Sequence, residues 1–368
     1  MTPPYRVIHQ RSASYPVYAG EGLIAELGAI VAETAPGLSP ALLVSSNVDA
    51  LYGAALRESL PDVPVIAIPD GEQQKTLATV EQVLGEMLVA GLRRDSVAVV
   101  VGGGMAGDVG GFAASVYLRG IALIHVPTTL LAQVDSSIGG KTGVNHIRGK
   151  NLIGSFHWPR AVVSDPALLR TLDIHELKSG VFEALKSGVI GDPILFSMLA
   201  GGPSAGSGTV APSVSAMDLG EIVRRSIDVK GTIVAADERE GDRRRLLNYG
   251  HTIGHGIEAA AGFGGITHGE AVGWGMLAAN AIARKRGLLD ADEAARIEEA
   301  IRAWRPRPVA GLDPAAILRA VGHDKKFVGQ HQVMVLARRV GVCEVFTDIT
   351  GEELRLGVDG VLASMQRD

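Results

Sequence analysis

The stretch Ser96-Val97-Ala98-Val99-Val100-Val101-Gly102-Gly103-Gly104-Met105-Ala106-Gly107 decides the fold. Its first half is a short, continuous apolar run rich in β-branched valine, the pattern of a strand buried on both faces. It runs straight into glycines that satisfy G-x-G-x-x-G between a strand and a helix, where backbone amides and a helix N-terminus can cradle a pyrophosphate. A tight turn needed only for strand-to-helix packing gives the same pattern, so the motif alone is weak. Its position also departs from the usual dinucleotide fingerprint, in which the glycines follow the first strand and an acid comes about 20 residues later.

On the amino-terminal side, residues 5–9 and 15–18 read as short strands, 23–34 as a helix, 41–45 as a buried strand, 48–60 as a helix, 63–68 as a strand and 76–91 as a helix. On the other side, strands are expected at 122–126 and 161–164. Strands alternating with helices of this length imply a parallel sheet with crossover helices. After Leu172 the strand-like runs stop, and helical patterns follow at 175–189, 217–236, 251–261, 268–286 and 292–304. The expected fold class is therefore α/β plus all-α, with a Rossmann-like parallel-sheet domain over residues 1–173 and a helical domain over 174–368. The Gly/Ser-rich segment 201–215 reads as a surface loop, and there is no internal repeat.

With 368 residues and 46% hydrophobic content, the chain can fill two ordinary cores. A net charge of −5 argues against a nucleic-acid footprint, so any anion site must be local. The single cysteine, Cys343, cannot form an internal disulfide, and the amino terminus lacks the apolar core of a signal peptide. The expected location is the cytoplasm, with no membrane segment.

Polar groups cluster at the strand ends of the first half: Asp49, then Asp70, Gly71, Glu72, Gln73, Gln74 and Lys75. Acids there suit ribose hydroxyls and would repel a 2′-phosphate, favouring NAD, although helix capping alone also places acids at first turns. A second glycine-rich run, Asp135 to Asn145, contains Gly140-Lys141-Thr142 but lacks the spacer and leading glycine of an NTPase phosphate loop. Lys141 would still lie near backbone amides, and Lys150-Asn151 adds a second cation and an amide.

The second half concentrates metal and anion chemistry. Glu183 and Lys186 lie three apart, Lys230 and Arg244 follow, and Asn248-Tyr249-Gly250-His251-Thr252-Ile253-Gly254-His255 precedes His268-Gly269-Glu270. His251 and His255 face the same way on a helix, which suits one metal ion. A zinc-protease motif fails because Thr252 stands where a glutamate is required. Core packing of the histidines and a surface Glu183–Lys186 pair are the competing readings.

In their order and spacing, Arg119-Gly120, Val126 to Asn145, Lys150-Asn151, Leu246 to His255 and His268-Gly269-Glu270 make the chain resemble the 3-dehydroquinate synthase family of sugar phosphate cyclases. The likeness runs from Tyr15-Pro16 to Asp324-Lys325-Lys326. It implies a nucleotide-binding domain, a helical domain and an active site in the cleft between them. It also implies a metal, zinc or cobalt, on Glu183, His251 and His268, leaving His255 to the substrate or to proton transfer, whereas spacing alone pairs His251 with His255. NAD would contact the 70–75 segment, Asp49, Gly103, Gly104, Met105, Ala106, Gly107, Asp108, Thr128, Thr129, Lys141, Lys150 and the turn Leu168, Leu169, Arg170, Thr171.

The resemblance further implies that Arg119, Lys141, Asn151, Asn248 and one of Lys325 or Lys326 hold a phosphate, and that Lys230 with Arg244 holds a carboxylate. Asp135, Lys186 and His255 would also touch substrate, and Lys141, Lys186, Asn248, His255 and Glu270 would serve catalysis. The family is usually dimeric, which would let Arg119 reach a neighbouring subunit. Where the family usually reads Ala-Glu-Val-Ile-Lys-Tyr-Gly, this chain has Phe182-Glu183-Ala184-Leu185-Lys186-Ser187-Gly188, so the glutamate and lysine are kept while the pocket wall differs.

The implied substrate is a phosphorylated sugar acid, 3-deoxy-D-arabino-heptulosonate 7-phosphate. NAD would take the C5 hydride, phosphate would leave after loss of the C6 proton, the hydride would return, and an intramolecular aldol step would close the ring. Rival readings are a cyclase acting on a sugar phosphate without a carboxylate, a metal-dependent polyol dehydrogenase, and a catalytically inactive NAD-binding regulator. Lys230 with Arg244 argues against the first, the phosphate-binding cations against the second, and the complete set Glu183, His251 and His268 against the third.

Overall fold

The computed structural model describes the chain except for residues 148, 202–216, 263, 324–326, 329–330 and 368. Lys325, Lys326 and nearly all of the 201–215 segment thus lie outside the described residues. The rest divides into two compact units, Met1–Leu172 with Leu219–Arg239, and Asp173–Asp218 with Glu240–Asp368.

The first unit is built on a seven-stranded sheet. Its strands are β1 (Arg6–His9), β2 (Ser14–Ala19), β3 (Ser39–Ser45), β4 (Val65–Ile68), β5 (Ser96–Gly102), β6 (Ala122–Pro127) and, after a separate hairpin of β7 (Lys141–His146) and β8 (Gly149–Phe156), β9 (Ala161–Ser164). The order across the sheet is β1-β2-β9-β6-β5-β3-β4. Only the β1–β2 pair is antiparallel. Strand β5 is central and buried throughout. Its side chains alternate between two cores, Val97, Val99 and Val101 on one face and Ala98 and Val100 on the other, as the twofold repeat of a strand requires. The crossover helices Ser46–Ser59, Leu77–Val89 and Gly104–Val116 lie where the alternation of patterns places them.

The expected cut at 173 differs from the observed division in one respect, because helix Leu219–Ala236 groups with the first unit. Its amphipathic period announces a buried face but not the partner that covers it. Asp228 accepts hydrogen bonds from Tyr5 Oη and Arg6 Nη1, each at 2.6 Å, and Lys230 Nζ donates to the Asp135 carbonyl at 2.6 Å. These partners lie more than 90 residues away in sequence, beyond the reach of any local pattern.

The second unit is mainly helical, with helices Ile174–Gly191, His251–Ala261, His268–Lys285, Ala291–Ala303 and Gly351–Met365 among its longer members. It also carries an antiparallel sheet of β10 (Phe327–Val328), β11 (His331–Arg339) and β12 (Val342–Ile349). Residues 332–337 of β11 are buried on both faces, so no polar/apolar alternation marks the strand in the sequence. Among the described residues, no helix is long and apolar enough to cross a membrane.

Helices His251–Ala261 and His268–Lys285 approach until their backbones touch, and glycines make this possible. A Cβ on Gly254 would come within 2.8 Å of the Ala271 carbonyl oxygen. Gly250, at φ +78°, caps the first of these helices in the left-handed region, and a Cβ there would meet the Val272 carbonyl oxygen at 2.8 Å.

The end of helix His268–Lys285 is clamped by Arg286, which binds Glu353 through Nε at 2.6 Å and Nη2 at 2.8 Å. Glu353 is also the N3 member of a capping box with Thr350. The Arg286 bonds, with help from Thr350, hold the Glu353 pKa down at about 2 against the effect of burial. A depressed carboxyl pKa contributes stability that is complete above the unfolded value of 4.5 and is lost as pH falls towards 2. Urea midpoints of the wild type and of Glu353→Gln should therefore differ by roughly 1–3 kcal/mol at pH 6 and converge between pH 4.5 and 2. A gap that stays constant through that range would assign the stability to another group.

Candidate active site

Three helices of the second unit bring their polar residues to one point. Helix Ile174–Gly191 is buried from Ser179 to Ile190 and presents Glu183 and Lys186, each only 1% exposed. An uncompensated charge at such depth would be costly, and here the two form an ion pair through Glu183 Oε2. The other carboxylate oxygen, Oε1, lies 3.5 Å from His251 Nε2 and 3.4 Å from His268 Nε2. His255 completes the group, with ring centroids 5.1 Å from His251 and 5.5 Å from His268. His251, His255 and His268 each offer a nitrogen, and these atoms all lie within 4.8 Å of one another.

Both expected ligand sets, the His251/His255 pair and the Glu183/His251/His268 trio, thus occupy the same place. The donors are imidazole nitrogens and a carboxylate oxygen, the chemistry that divalent zinc or cobalt accepts, and they come from three separate helices. Burial opposes charge on Glu183, but Lys186 and His268 outweigh it and hold its pKa at about 2. Burial likewise opposes protonation of His268, yet hydrogen bonds to Glu183 and Glu258 raise its pKa to about 10. The carboxylate is therefore ionised, its charge balanced by Lys186 and His268.

Other residues of this unit divide into two groups. Arg244 is buried in the 3-10 turn Arg243–Asn248, and Asn248 Nδ2 donates to Glu240 at 3.2 Å. Glu270 makes its contacts with the chain itself. Its carboxylate completes a capping box with Thr267 and accepts from the Arg307 amide at 3.1 Å.

In the first unit, Gly103 caps helix Gly104–Val116, directly after β5, so the glycine motif has the strand–turn–helix setting it needs. The first amides of such a helix have no partner within it. A cavity at this end is lined by Gly103, Gly104, Gly107, Asp108 and Ser136. A Cβ on Gly104 would crowd Ser136 Oγ at 3.1 Å, so the bare backbone keeps the approach open. Burial pushes the Asp108 pKa up, and Lys75, at 2.5 Å, works against that. Asp70 accepts from the Asn47 amide at 2.8 Å, and Glu72 from Asn145 Nδ2 at 2.8 Å, with Lys150 3.5 Å away.

Asp49, in the first turn of helix Ser46–Ser59, pairs with Arg57 at 2.8 Å. Thr128 is buried, and Thr129 Oγ1 accepts from the Ala132 amide. In the turn Pro166–Thr171, Leu168 and Leu169 are buried, Arg170 binds Glu21 and Thr171 binds the Tyr52 hydroxyl. The second glycine-rich run splits into a π-helical turn, Ala132–Ser136, and strand β7, so Lys141 stands exposed at the start of a hairpin. Asp135 pairs with Lys230 at 2.8 Å. Asn151 and Arg119 both hold positive φ, at 55° and 72°, and Arg119 is exposed.

Two residues near the candidate metal donors carry no expectation from the sequence. Glu258 Oε2 lies 3.3 Å from His268 Nδ1, and the Tyr249 carbonyl lies 3.2 Å from His251 Nδ1. The signal for Glu258 was present, since 251, 255 and 258 follow the i, i+4, i+7 stripe of one helix face.

Models of the 3-dehydroquinate synthase N-terminal and C-terminal regions match residues 65–179 and 180–327. A 3-dehydroquinate synthase of Synechococcus sp. (strain CC9605) is 42% identical over 347 residues, 92% of this chain and 93% of that protein. The chain belongs to the 3-dehydroquinate synthase family. Solved structures related at 29% identity include the 2-epi-5-epi-valiolone synthase of Streptomyces hygroscopicus with NAD+ and Zn2+ bound, at a TM-score of 0.84 over 99% of this chain and 100% of that one. A 2-deoxy-scyllo-inosose synthase complexed with carbaglucose-6-phosphate, NAD+ and Co2+ superposes with a TM-score of 0.83 over 96% of this chain and 99% of that one. The chain thus shares its α/β and helical fold with a 2-epi-5-epi-valiolone synthase and a 2-deoxy-scyllo-inosose synthase.

Proposed function

We propose that the chain converts 3-deoxy-D-arabino-heptulosonate 7-phosphate to 3-dehydroquinate and phosphate in the shikimate pathway, as a cytoplasmic homodimer using NAD and a divalent cation, zinc or cobalt. The observation that carries this reading is Glu183 Oε1 set between the Nε2 atoms of His251 and His268, in a chain 42% identical to a 3-dehydroquinate synthase. The bound groups would supply Lewis acidity and a reversible hydride acceptor, so that NAD is regenerated within the turnover.

The protein's own residues bind, orient and stabilise charge. Lys186 neutralises one carboxylate oxygen of Glu183 and leaves the other for the cation. His255 stands beside the other two rings, near enough to hold a substrate hydroxyl or move a proton. Arg244 and Asn248 in the second unit, and Arg119, Lys141, Asn151 and Lys230 in the first, are assigned to the substrate's phosphate and carboxylate, whose charge explains so many cations in a chain of net charge −5. Gly103 to Asp108, with the 70–75 segment, are assigned to NAD.

The assay is phosphate release from 3-deoxy-D-arabino-heptulosonate 7-phosphate by the full chain with NAD and Co2+, while absorbance follows NADH. Phosphate without net NADH is expected. Release only from sedoheptulose 7-phosphate or glucose 6-phosphate would instead assign the chain to the other cyclases. NADH accumulation on a simple polyol would make it a dehydrogenase.

A further inference from the structure

His251 and His268 each open a helix, following the N-cap residues Gly250 and Thr267. A helix N-terminus exposes amide N–H groups rather than carbonyls, so a histidine there lacks a ready local acceptor for a ring N–H. The two sites overcome this differently. At His251, the left-handed Gly250 turns the chain so that the Tyr249 carbonyl lies 3.2 Å from Nδ1. At His268, the acceptor is Glu258 Oε2, 3.3 Å from Nδ1 and supplied by the neighbouring helix.

A carbonyl cannot donate a hydrogen bond, and neither can a carboxylate, so in both rings Nδ1 carries the hydrogen. A cation beside Glu183 Oε1 would displace the proton that His268 Nε2 shares with that carboxylate and take the Nε2 lone pairs of both rings. Glu258 is itself 7% exposed and stands one turn beyond His255 on the same helix. From this geometry we propose that Glu258 is the positioning residue of the metal centre: it fixes the tautomer and ring orientation of His268 so that Nε2 meets the cation. The His251 counterpart is main chain and no substitution removes it, whereas the His268 support is one side chain and can be deleted.

The inference rests on the reading of this cluster as a divalent-metal site, and the experiment separates the two. Full-length wild type, Glu258→Gln and Glu258→Ala are stripped with chelator and titrated with Co2+. Equilibrium dialysis gives affinity, visible absorption of the bound ion reports its ligand field, and far-UV circular dichroism checks folding. The wild type should bind one Co2+ per chain. Loss of an outer partner of a metal-bound histidine costs about 10–100-fold in affinity, and Glu258→Ala should lie towards the upper end. Glu258→Gln should lie nearer the lower end, because its amide oxygen can still accept from Nδ1–H, although without the carboxylate's charge. Both should alter the Co2+ absorption bands.

Folded variants with wild-type affinity and spectrum would overturn the proposal and leave Glu258 as packing. Should Glu258→Ala fail to fold, the near-isosteric Glu258→Gln decides by the same two readouts. A wild type that binds no Co2+ would overturn the metal reading itself, and the proposal with it.

Discussion

Glu183→Ala should lose the divalent metal, turnover and a large part of its stability at once. The carboxylate supplies the oxygen that faces His251 and His268, and it is also the counter-ion of Lys186. Metal polarisation of a reacting oxygen is worth several kcal/mol, so kcat/KM should fall by about 10³-fold or more. The stability loss has a separate cause. Lys186 is 1% exposed, and removing its partner strands a buried ammonium at a cost of about 3–5 kcal/mol.

Glu183→Gln separates these effects, since it keeps the shape and a polar contact for Lys186 while weakening the metal ligand. It should denature closer to the wild type yet remain poorly active. Metal content after dialysis, phosphate release and urea denaturation check the pair of variants. An alanine variant that retains stoichiometric metal and near-normal turnover would remove Glu183 from the centre.

The second large effect is expected at Gly250, a residue with no side chain and no chemistry. Its φ of +78° costs an L-residue about 1–2 kcal/mol. A Cβ would also press on the Val272 carbonyl oxygen at 2.8 Å and on the Met276 amide nitrogen at 3.0 Å, both main-chain atoms of the facing helix. Overpacking of this kind adds about 1–3 kcal/mol, so Gly250→Ala should lose about 2–5 kcal/mol in all.

The damage should reach the histidine cluster, because the strained contact separates the helices that carry His251 and His268. Gly85→Ala is the matched control. Gly85 lies exposed in helix Leu77–Val89 with open space where its Cβ would go, and the same change there should be neutral or stabilise by up to about 1 kcal/mol. Equal effects at the two sites would show that the helix approach is not tight.

Much of the first unit was legible without coordinates. The valine run of β5 is apolar at every position because both faces of a central parallel strand are covered, and the glycines after it mark a strand passing into a helix. Such features are local, and a local pattern follows from the period of the backbone. The histidines and Glu183 could likewise be picked out by spacing and residue type, and family resemblance gave each a role.

Partners distant in sequence were a different matter. The helical pattern over 217–236 did not show that β1 and Asp135 would receive helix Leu219–Ala236. Strand β11 is buried on both sides, and that removed the alternation by which a strand is read. Glu270 looked chemical beside His268, yet capping geometry turns its carboxylate back on Thr267. Glu258 looked ordinary, yet helix packing brings it to His268.

The sequence by itself determined the α/β and helical fold class and which residue types with metal and anion chemistry the chain carries, because periodicity and residue chemistry are properties of neighbouring positions. The tertiary structure alone decided which carboxylate faces which imidazole nitrogen. That choice depends on how closely two helices pack, and here a few glycines set the distance.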